Sequence, residues 1–238
     1  MQDDPSGDLG RAAKLAAAVL IGVVAVDVLA VLFDFLERGV LNDAAAGHVN
    51  ASAASASDSR QRSMGIAQLI FVIAAAVTFL HWFRIAYSNL ASLGVRDLRY
   101  RPGWAVGAWF VPILNVFRPK QIANDIWRAS DPAAEPRQGW RERPVAPLLH
   151  WWWAFWLLSS FVERLASRAG RGDPDVSGLL AANGADIAGL VLDVIAALLA
   201  ITVVRRTTER QREALEAGVI NPPPPPPAPT LPVVPGPE

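Results

Sequence analysis

Four stretches of this 238-residue chain are almost free of charge, and they constrain its fold more than any other feature. They cover about residues 15–36, 65–85, 145–162 and 185–204. The chain has 22 basic and 22 acidic residues, yet these stretches contain only five of them: Asp27, Asp34, Arg84, Asp186 and Asp193. A helix needs about 20 mainly apolar residues to cross the hydrocarbon core of a bilayer. The sequence therefore predicts an all-α polytopic membrane protein with four transmembrane helices.

Basic residues are unevenly distributed over the five segments outside these spans. The first, third and fifth segments contain 15 of the 22 Lys and Arg residues, whereas the second and fourth contain six. Lys and Arg accumulate in cytoplasmic connections, so both termini are expected in the cytoplasm and the protein in the cell membrane. The chain then divides into a cytoplasmic N-terminal segment 1–14, a transmembrane domain 15–204 and a cytoplasmic proline-rich tail 205–238.

Residues 103–130, between the second and third spans, are predicted to lie at the membrane interface. Residues 103–117 carry no charge, but they are few for a crossing and include Pro112 and Asn115, which favours a re-entrant or interfacial element over a fifth span. An amphipathic helix follows, with Trp127 on its apolar face at the headgroup boundary and Asp125 on its polar face. The candidate cytoplasmic-interface motif comprises His81, Arg84, Asn89, Trp104, Pro112, Asn115, Arg118 and Trp127.

Three other segments predict connections rather than sites. Residues 42–58 are rich in Ala and Ser and lack apolar periodicity, which predicts a flexible linker. Residues 173–178 resemble the first half of a calcium loop, but Gly184 occupies the position of the required Glu, so a turn between helices is favoured. Residues 222–227 are six consecutive prolines, which predicts an extended polyproline spacer or a docking segment for a protein partner.

The carboxylates inside the spans are the strongest candidate site, because an ionisable residue in a membrane is costly. Asp27 and Asp193 lie near the middle of the first and fourth spans, and Asp34 and Asp186 lie nearer the outside. Since these two spans run in opposite directions, the depths of Asp27 and Asp193 match, as do those of Asp34 and Asp186. No basic residue lies at mid-depth. A polar path could be completed by Gln68, Thr78, Ser159 and Ser160.

Two interpretations of these carboxylates remain open. Protonated Asp side chains can hydrogen-bond to neighbouring helices and support assembly. Alternatively, shared protons or a bound cation can relieve the repulsion between paired carboxylates. The sequence thus favours an interaction or assembly module, with a small cation or proton pathway as the alternative.

Several other function classes have no support in the sequence. The chain has no Cys, and its three His residues are widely separated, so neither a thiol nucleophile nor a compact zinc motif is present. Phosphate-binding glycine motifs and the nucleophile elbow of hydrolases are absent. The net charge of zero gives no signature of nucleic-acid binding. We therefore expect no enzymatic activity, no cofactor or metal and no nucleic acid; the expected partners are the lipid bilayer and a protein at the tail.

The middle of the chain also resembles a known family. The residues that carry the resemblance are the aromatic, proline, asparagine and arginine positions at 79–84, 89, 93–94, 102–107, 109–112, 115, 118–119, 126–130 and 152–153. In their order and spacing they are similar to a bacterial membrane family called domain of unknown function 4328, common in actinobacteria. The resemblance covers roughly residues 64–204 and implies an integral protein of the bacterial cytoplasmic membrane. It supplies no catalytic or binding residues.

Overall fold

The fold of the chain is helical. The computed structural model describes residues 5–48, 50–95, 97–132, 139–169 and 175–220, and no strand occurs in these ranges, which confirms the all-α class. A single 3-10 turn, Trp140–Glu142, lies in them. The α-helices are α1 (Pro5–Ala45), α2 (Ala51–Ser92), α3 (Trp104–Gly107), α4 (Leu114–Ala129), α5 (Pro147–Ala169) and α6 (Val176–Ile220).

Three helices are long and apolar enough to cross a membrane. They are Gly7–Ala45, Ala51–Ser92 and Val176–Ala217, and they contain the predicted spans 15–36, 65–85 and 185–204. The remaining predicted span, 145–162, coincides with most of α5, which has 23 residues. Helix α5 is not among these three helices, because His150, Glu163 and several tryptophans interrupt its aliphatic residues.

The long helices are arranged in the order α2, α1, α6, α5. Helix α1 packs along α2 and α6, and α6 also packs along α5. Small side chains are buried on both α1 and α6, among them Ala13, Ala17, Ala197 and Ala200. Small residues let two helix backbones approach closely in a membrane. Because α2 and α5 stand at the two ends of this order, a space is left between them.

The prediction of a flexible linker at residues 42–58 is wrong. Helix α1 continues to Ala45, and α2 begins at Ala51. The Asn50 side chain starts α2, since its Oδ1 accepts hydrogen bonds from the backbone N–H groups of Ser52 and Ala53, both at 3.1 Å. Ala has the highest helix propensity, and an exposed helix needs no apolar stripe. The absence of apolar periodicity therefore indicated exposure and not irregular structure.

Helix α6 extends beyond both ends of its apolar stretch. At its start, Asp175 Oδ1 accepts a hydrogen bond from the N–H of Gly178 at 2.9 Å, which lowers the pKa of Asp175 and makes it a helix cap. The residue that would begin a calcium loop, Asp173, lies outside the described residues. At its end α6 continues to Ile220, so the arginines at 205, 206, 210 and 212 are helical. The proline run 222–227 also lies outside the described residues.

The C-terminal parts of α2 and α6 are joined to α4 by buried polar contacts. Trp82 Nε1 donates to Thr208 Oγ1 at 2.9 Å. Gln211 Nε2 donates to the carbonyl oxygen of Ala86 at 3.0 Å and to Ser130 Oγ at 3.1 Å. These bonds hold the end of α4 against α2 and α6, so α4 is a packed part of the domain.

The prediction that Trp127 on α4 lies at the lipid headgroup boundary is wrong. Trp127 is only 9% exposed, and the guanidinium carbon of Arg210 lies 4.5 Å from its ring centroid. Asp125, on the opposite face, is 0% exposed and lies 3.6 Å from Arg99 Nε. Protein covers both of these side chains, because α2, α6 and the segment before α3 pack against the helix. Amphipathic periodicity could not distinguish burial by protein from contact with lipid.

Candidate functional site

A cavity of about 700 Å³ occupies the space between α2 and α5. Helices α1 and α6 complete its wall. Each long helix contributes one stripe of residues at helical spacing, for example positions 20, 23, 27, 30 and 34 of α1 and positions 152, 156, 160 and 163 of α5. Residues three, four and seven apart lie on one face of a helix. Four helix faces therefore converge on a common space within the apolar part of the protein.

Five carboxyl side chains line this cavity: Asp27, Asp34, Glu163, Asp186 and Asp193. Asp27 and Asp34 are 6% and 5% exposed. Glu163 and Asp193 lie within hydrogen-bonding reach of each other, and both are close enough to Asp27 for their charges to interact. Asp186 is likewise close enough to Asp34 for their charges to interact. The structure thus brings together the two pairs that the sequence places at equal depth, and it adds Glu163 to the pair Asp27 and Asp193.

Amide side chains of α2 face the two buried carboxyls. Gln61 Nε2 donates to Asp34 Oδ1 at 2.6 Å and to Glu37 Oε2 at 2.8 Å. Gln68 Nε2 lies 3.4 Å from Asp27 Oδ1. These neutral donors orient the carboxyl oxygens without supplying a positive charge.

No Lys, Arg or His side chain of the described residues lines the cavity. Arg38, one turn beyond Asp34, instead donates to the carbonyl oxygen of Leu180 at 3.3 Å and to Asn183 Oδ1 at 3.4 Å. Carboxylates held close together in a medium of low dielectric constant repel one another unless protons are shared or a cation is bound. The cavity is therefore suited to hold protons or positively charged ligands.

The opposite end of the cavity, away from Asp34 and Asp186, is closed by aromatic rings. The Trp109 ring lies between α2 and α5, with its centroid 5.7 Å from that of Phe79 and 5.4 Å from that of Trp156. Trp153 Nε1 donates to the carbonyl oxygen of Val116 at 3.1 Å, which ties α5 to the start of α4. The segment between α3 and α4 thus fills the gap between the two outer helices.

The turn that carries Trp109 ends in exposed apolar side chains. Phe110 is 72% exposed, Ile113 76% and Phe117 60%. Ile113 has a φ of +68°, which is unfavourable for a β-branched residue and marks a sharp reversal of the backbone. An apolar tip of this kind is poorly suited to water.

The candidate cytoplasmic-interface motif does not form a single site. The guanidinium carbon of Arg118 lies 4.0 Å from the ring centroid of Trp104, a cation–π contact beside the aromatic layer. Asn89 is buried, whereas His81 and Arg84 are exposed. In the ranges that the structure covers, no hydrogen bond joins Arg84 to the segment between α3 and α4.

The remaining members of the motif are dispersed along the same segment. Pro112 is exposed in the apolar turn, Asn115 is partly buried in the first turn of α4, and Trp127 lies under Arg210. The motif therefore combines packing positions with solvent-facing ones, and Trp104 and Arg118 contact each other through their side chains.

Sequence reasoning missed two cavity residues and included two that do not belong. Glu163 and Gln61 were assigned to connections outside the spans. The stripe through positions 156 and 160 of α5 points directly at position 163, so helical periodicity could have found Glu163. Thr78 and Ser159 bond to carbonyl oxygens of their own helices and do not line the cavity, whereas Gln68 and Ser160 do.

The carboxyls do not form a ready metal centre. Among the side chains that the structure describes, no group of three or more His, Asp or Glu residues is arranged to hold a metal ion. The cavity is also far larger than the coordination shell of a single ion. Its geometry fits shared protons or a loosely held cation better than a structural metal.

Comparison with known proteins identifies the family. The family described as "Domain of unknown function (DUF4328)" matches residues 45–209, more than half of the chain. The chain belongs to this family. The DUF4328 region contains α2 to α5 and most of α6, and with them Glu163, Asp186 and Asp193. It begins at the end of α1, so Asp27 and Asp34 lie outside it. No curated protein and no solved structure matches the chain.

Proposed function

We propose that this DUF4328 protein crosses a cell membrane four times, with α5 as the third span in chain order and both termini in the cytoplasm. Helix α5 packs along α6, and its outward-facing Trp151, Leu158 and Phe161 are exposed to the surroundings as lipid-facing residues would be. The distribution of basic residues supports the orientation. In this arrangement the apolar turn at Phe110 enters the inner half of the bilayer as a re-entrant element.

Single cysteines can test this topology because the chain has no Cys of its own. Ser55→Cys and Arg101→Cys introduce thiols at exposed positions on opposite sides of the proposed membrane. An impermeant maleimide added to intact cells should label the first variant and leave the second unlabelled until the cells are lysed. Labelling of Arg101→Cys in intact cells would contradict the orientation.

The function that the geometry supports best is the binding of protons or small cations in the acidic cavity, as part of a pathway across the membrane. The observation that carries this proposal is the convergence of five carboxyls from α1, α5 and α6 on one space without a basic partner in the described residues. A cavity lined by carboxyls attracts cations and repels anions. The amides of Gln61 and Gln68 add neutral hydrogen-bonding groups along the same wall.

A role in assembly through the proline-rich tail is a separate proposal. It depends on residues 221–238, outside the described part of the chain. Within the described residues the acidic cavity is the more specific feature, because packing between helices alone requires neither a cavity nor five carboxyls. The cavity therefore favours the pathway over a purely structural use of the intramembrane carboxylates.

Cation binding should stabilise the purified full-length protein in a neutral detergent. A ligand that binds only the folded state at ten times its Kd stabilises it by about 1.4 kcal/mol. We expect the melting temperature to rise with Na⁺ or K⁺ when a bulky organic cation keeps the ionic strength constant, or to shift with pH if protons are the ligand. The effect should be lost in Asp27→Asn/Asp193→Asn.

The matched control is Asp58→Asn, which removes one exposed carboxylate outside the cavity. This variant should retain the full response of the unmodified protein. A response that is equal in the cavity variant and the control, or that is absent from the folded unmodified protein, would contradict a binding role for the cavity.

A further inference from the structure

A second groove lies between the N-terminal part of α1 and the C-terminal half of α6, with a volume of about 350 Å³. Its polar end carries the exposed side chains of Lys14, Arg205 and Arg212. Its apolar end is formed by Ala17 and by Ile21, which is 50% exposed. The groove therefore has a basic head and an apolar floor that continues toward the membrane-spanning part of both helices.

The positions of these residues match the layers of a bilayer leaflet. Lys14 directly precedes the span 15–36, and Arg205 directly follows the span 185–204. Arg212 lies seven residues further along α6, or about 10 Å at the rise of an α-helix. The polar headgroup layer of one leaflet is roughly 5–7 Å thick. Lys14 and Arg205 are thus level with lipid phosphates, Arg212 reaches the outer edge of the headgroups, and Ile21 faces acyl chains.

The groove carries a net positive charge. Glu209 is its acidic lining residue within the described chain, against three basic ones. Arg212 lies 3.9 Å from Glu216, one helical turn away, and both side chains are largely exposed. Such an exposed ion pair contributes little free energy, so Arg212 can exchange it for contact with an anion.

We propose that this groove binds one anionic phospholipid of the cytoplasmic leaflet, with its phosphate at Lys14 and Arg205 and an acyl chain along Ile21. The headgroup of an anionic lipid supplies the negative charge that the basic end requires. The apolar floor favours a lipid over a water-soluble anion, because it can contact an acyl chain. Basic grooves between spanning helices on the cytoplasmic side suit such lipids. The inference rests on the proposed orientation of the termini and not on the function of the acidic cavity.

The test measures lipid binding to the purified full-length protein by native mass spectrometry. Phosphatidylglycerol and phosphatidylcholine with identical acyl chains are compared in a neutral detergent. Phosphatidylglycerol should bind more tightly, and Lys14→Gln/Arg205→Gln should weaken it about tenfold or more, since each basic side chain near a membrane surface is worth about 1 kcal/mol. Arg101→Gln/Arg206→Gln removes the same charge from exposed positions outside the groove and should change binding less than about twofold.

A second variant reverses the sign of the effect. Glu209→Gln removes the acidic side chain from the groove and should tighten phosphatidylglycerol binding. Equal weakening in both double variants would show a diffuse charge effect and overturn the site. So would equal affinity for phosphatidylcholine, or displacement of the lipid by inorganic phosphate alone, which would assign the groove to a free anion. Because no cation is varied, these results do not depend on the outcome for the acidic cavity.

Discussion

At the scale of single residues, the chain buries carboxyl groups at two separate levels. Besides the cavity, Asp125 on α4 is fully buried, and neither of its oxygens accepts a hydrogen bond within the described structure. Burial raises the pKa of Asp125 above its ordinary value of 3.8, and the attraction of Arg99, Arg128 and Arg141 offsets this only in part. The residue is thus a source of pH dependence outside the three helices that are long and apolar enough to cross a membrane.

The sign of that dependence follows from proton binding. Between pH 3.8 and the raised pKa, the folded state holds a proton at Asp125 that the unfolded chain has lost, so the free energy of unfolding falls as the pH rises through this window. Asp125→Asn should reduce this loss of unfolding free energy and stabilise the protein at pH values above the window. Thermal unfolding in detergent over a pH series measures both effects. Asp58→Asn should keep the original slope, and an unchanged slope in Asp125→Asn would exclude Asp125 as its source.

The cavity residues that the sequence pairs by depth and those that it misses differ in their distance from the span ends. Asp27 and Asp193 could be paired from depth alone, because the direction of each helix and the rise per residue fix their levels. Glu163 and Gln61 were missed because the span boundaries were drawn where polar residues begin. A boundary drawn by charge excludes any charged residue that faces an internal cavity near the end of a span.

At the scale of elements, the contact between α1 and α2 depends on Gly22. A Cβ atom at this position would overlap the ring of Phe71 on α2. Gly39, on the same helix, has open space around it. These two glycines therefore differ in packing although both lie within α1.

This difference predicts opposite effects of the same substitution. Gly22→Ala should destabilise the protein by about 1–3 kcal/mol, because the added methyl group overpacks the helix contact. Gly39→Ala should be neutral or stabilising by roughly 0.5–1 kcal/mol, since Ala replaces Gly in a helix without a clash. Chemical denaturation in mixed micelles measures both. Equal effects would show that α1 does not contact α2 at Gly22 in the membrane.

Helix positions were easier to predict than helix contacts. The apolar stretches located the cores of α1, α2 and α6, but not their lengths, since the exposed Ala-rich turns before Met64 and the turns after Val204 are helical without being apolar. The amphipathic pattern of α4 located the helix and gave the wrong surroundings for Trp127. In both cases the sequence reports side-chain polarity, whereas helix ends and partners depend on caps such as Asn50 and on contacts between distant segments.

At the scale of the whole molecule, the packing order α2, α1, α6, α5 accounts for the cavity. The two central helices pack along each other, and in the described residues the aromatic layer around Trp109 bridges the two outer helices near one end. This order cannot be read from hydropathy, because an apolar helix face meets lipid or protein equally well. The result is a space lined by carboxyls, open along its length and closed at its aromatic end.

The most direct test of this account is ion flux into proteoliposomes that contain the full-length protein. Vesicles with the unmodified protein should show a proton-dependent or cation-dependent flux that empty vesicles lack, and Asp58→Asn should preserve it. Asp27→Asn/Asp193→Asn should reduce it to the level of empty vesicles while inserting and folding normally, because it removes the central pair of carboxylates. Undiminished flux in that double variant, or none with the inserted unmodified protein, would contradict a pathway through the acidic cavity.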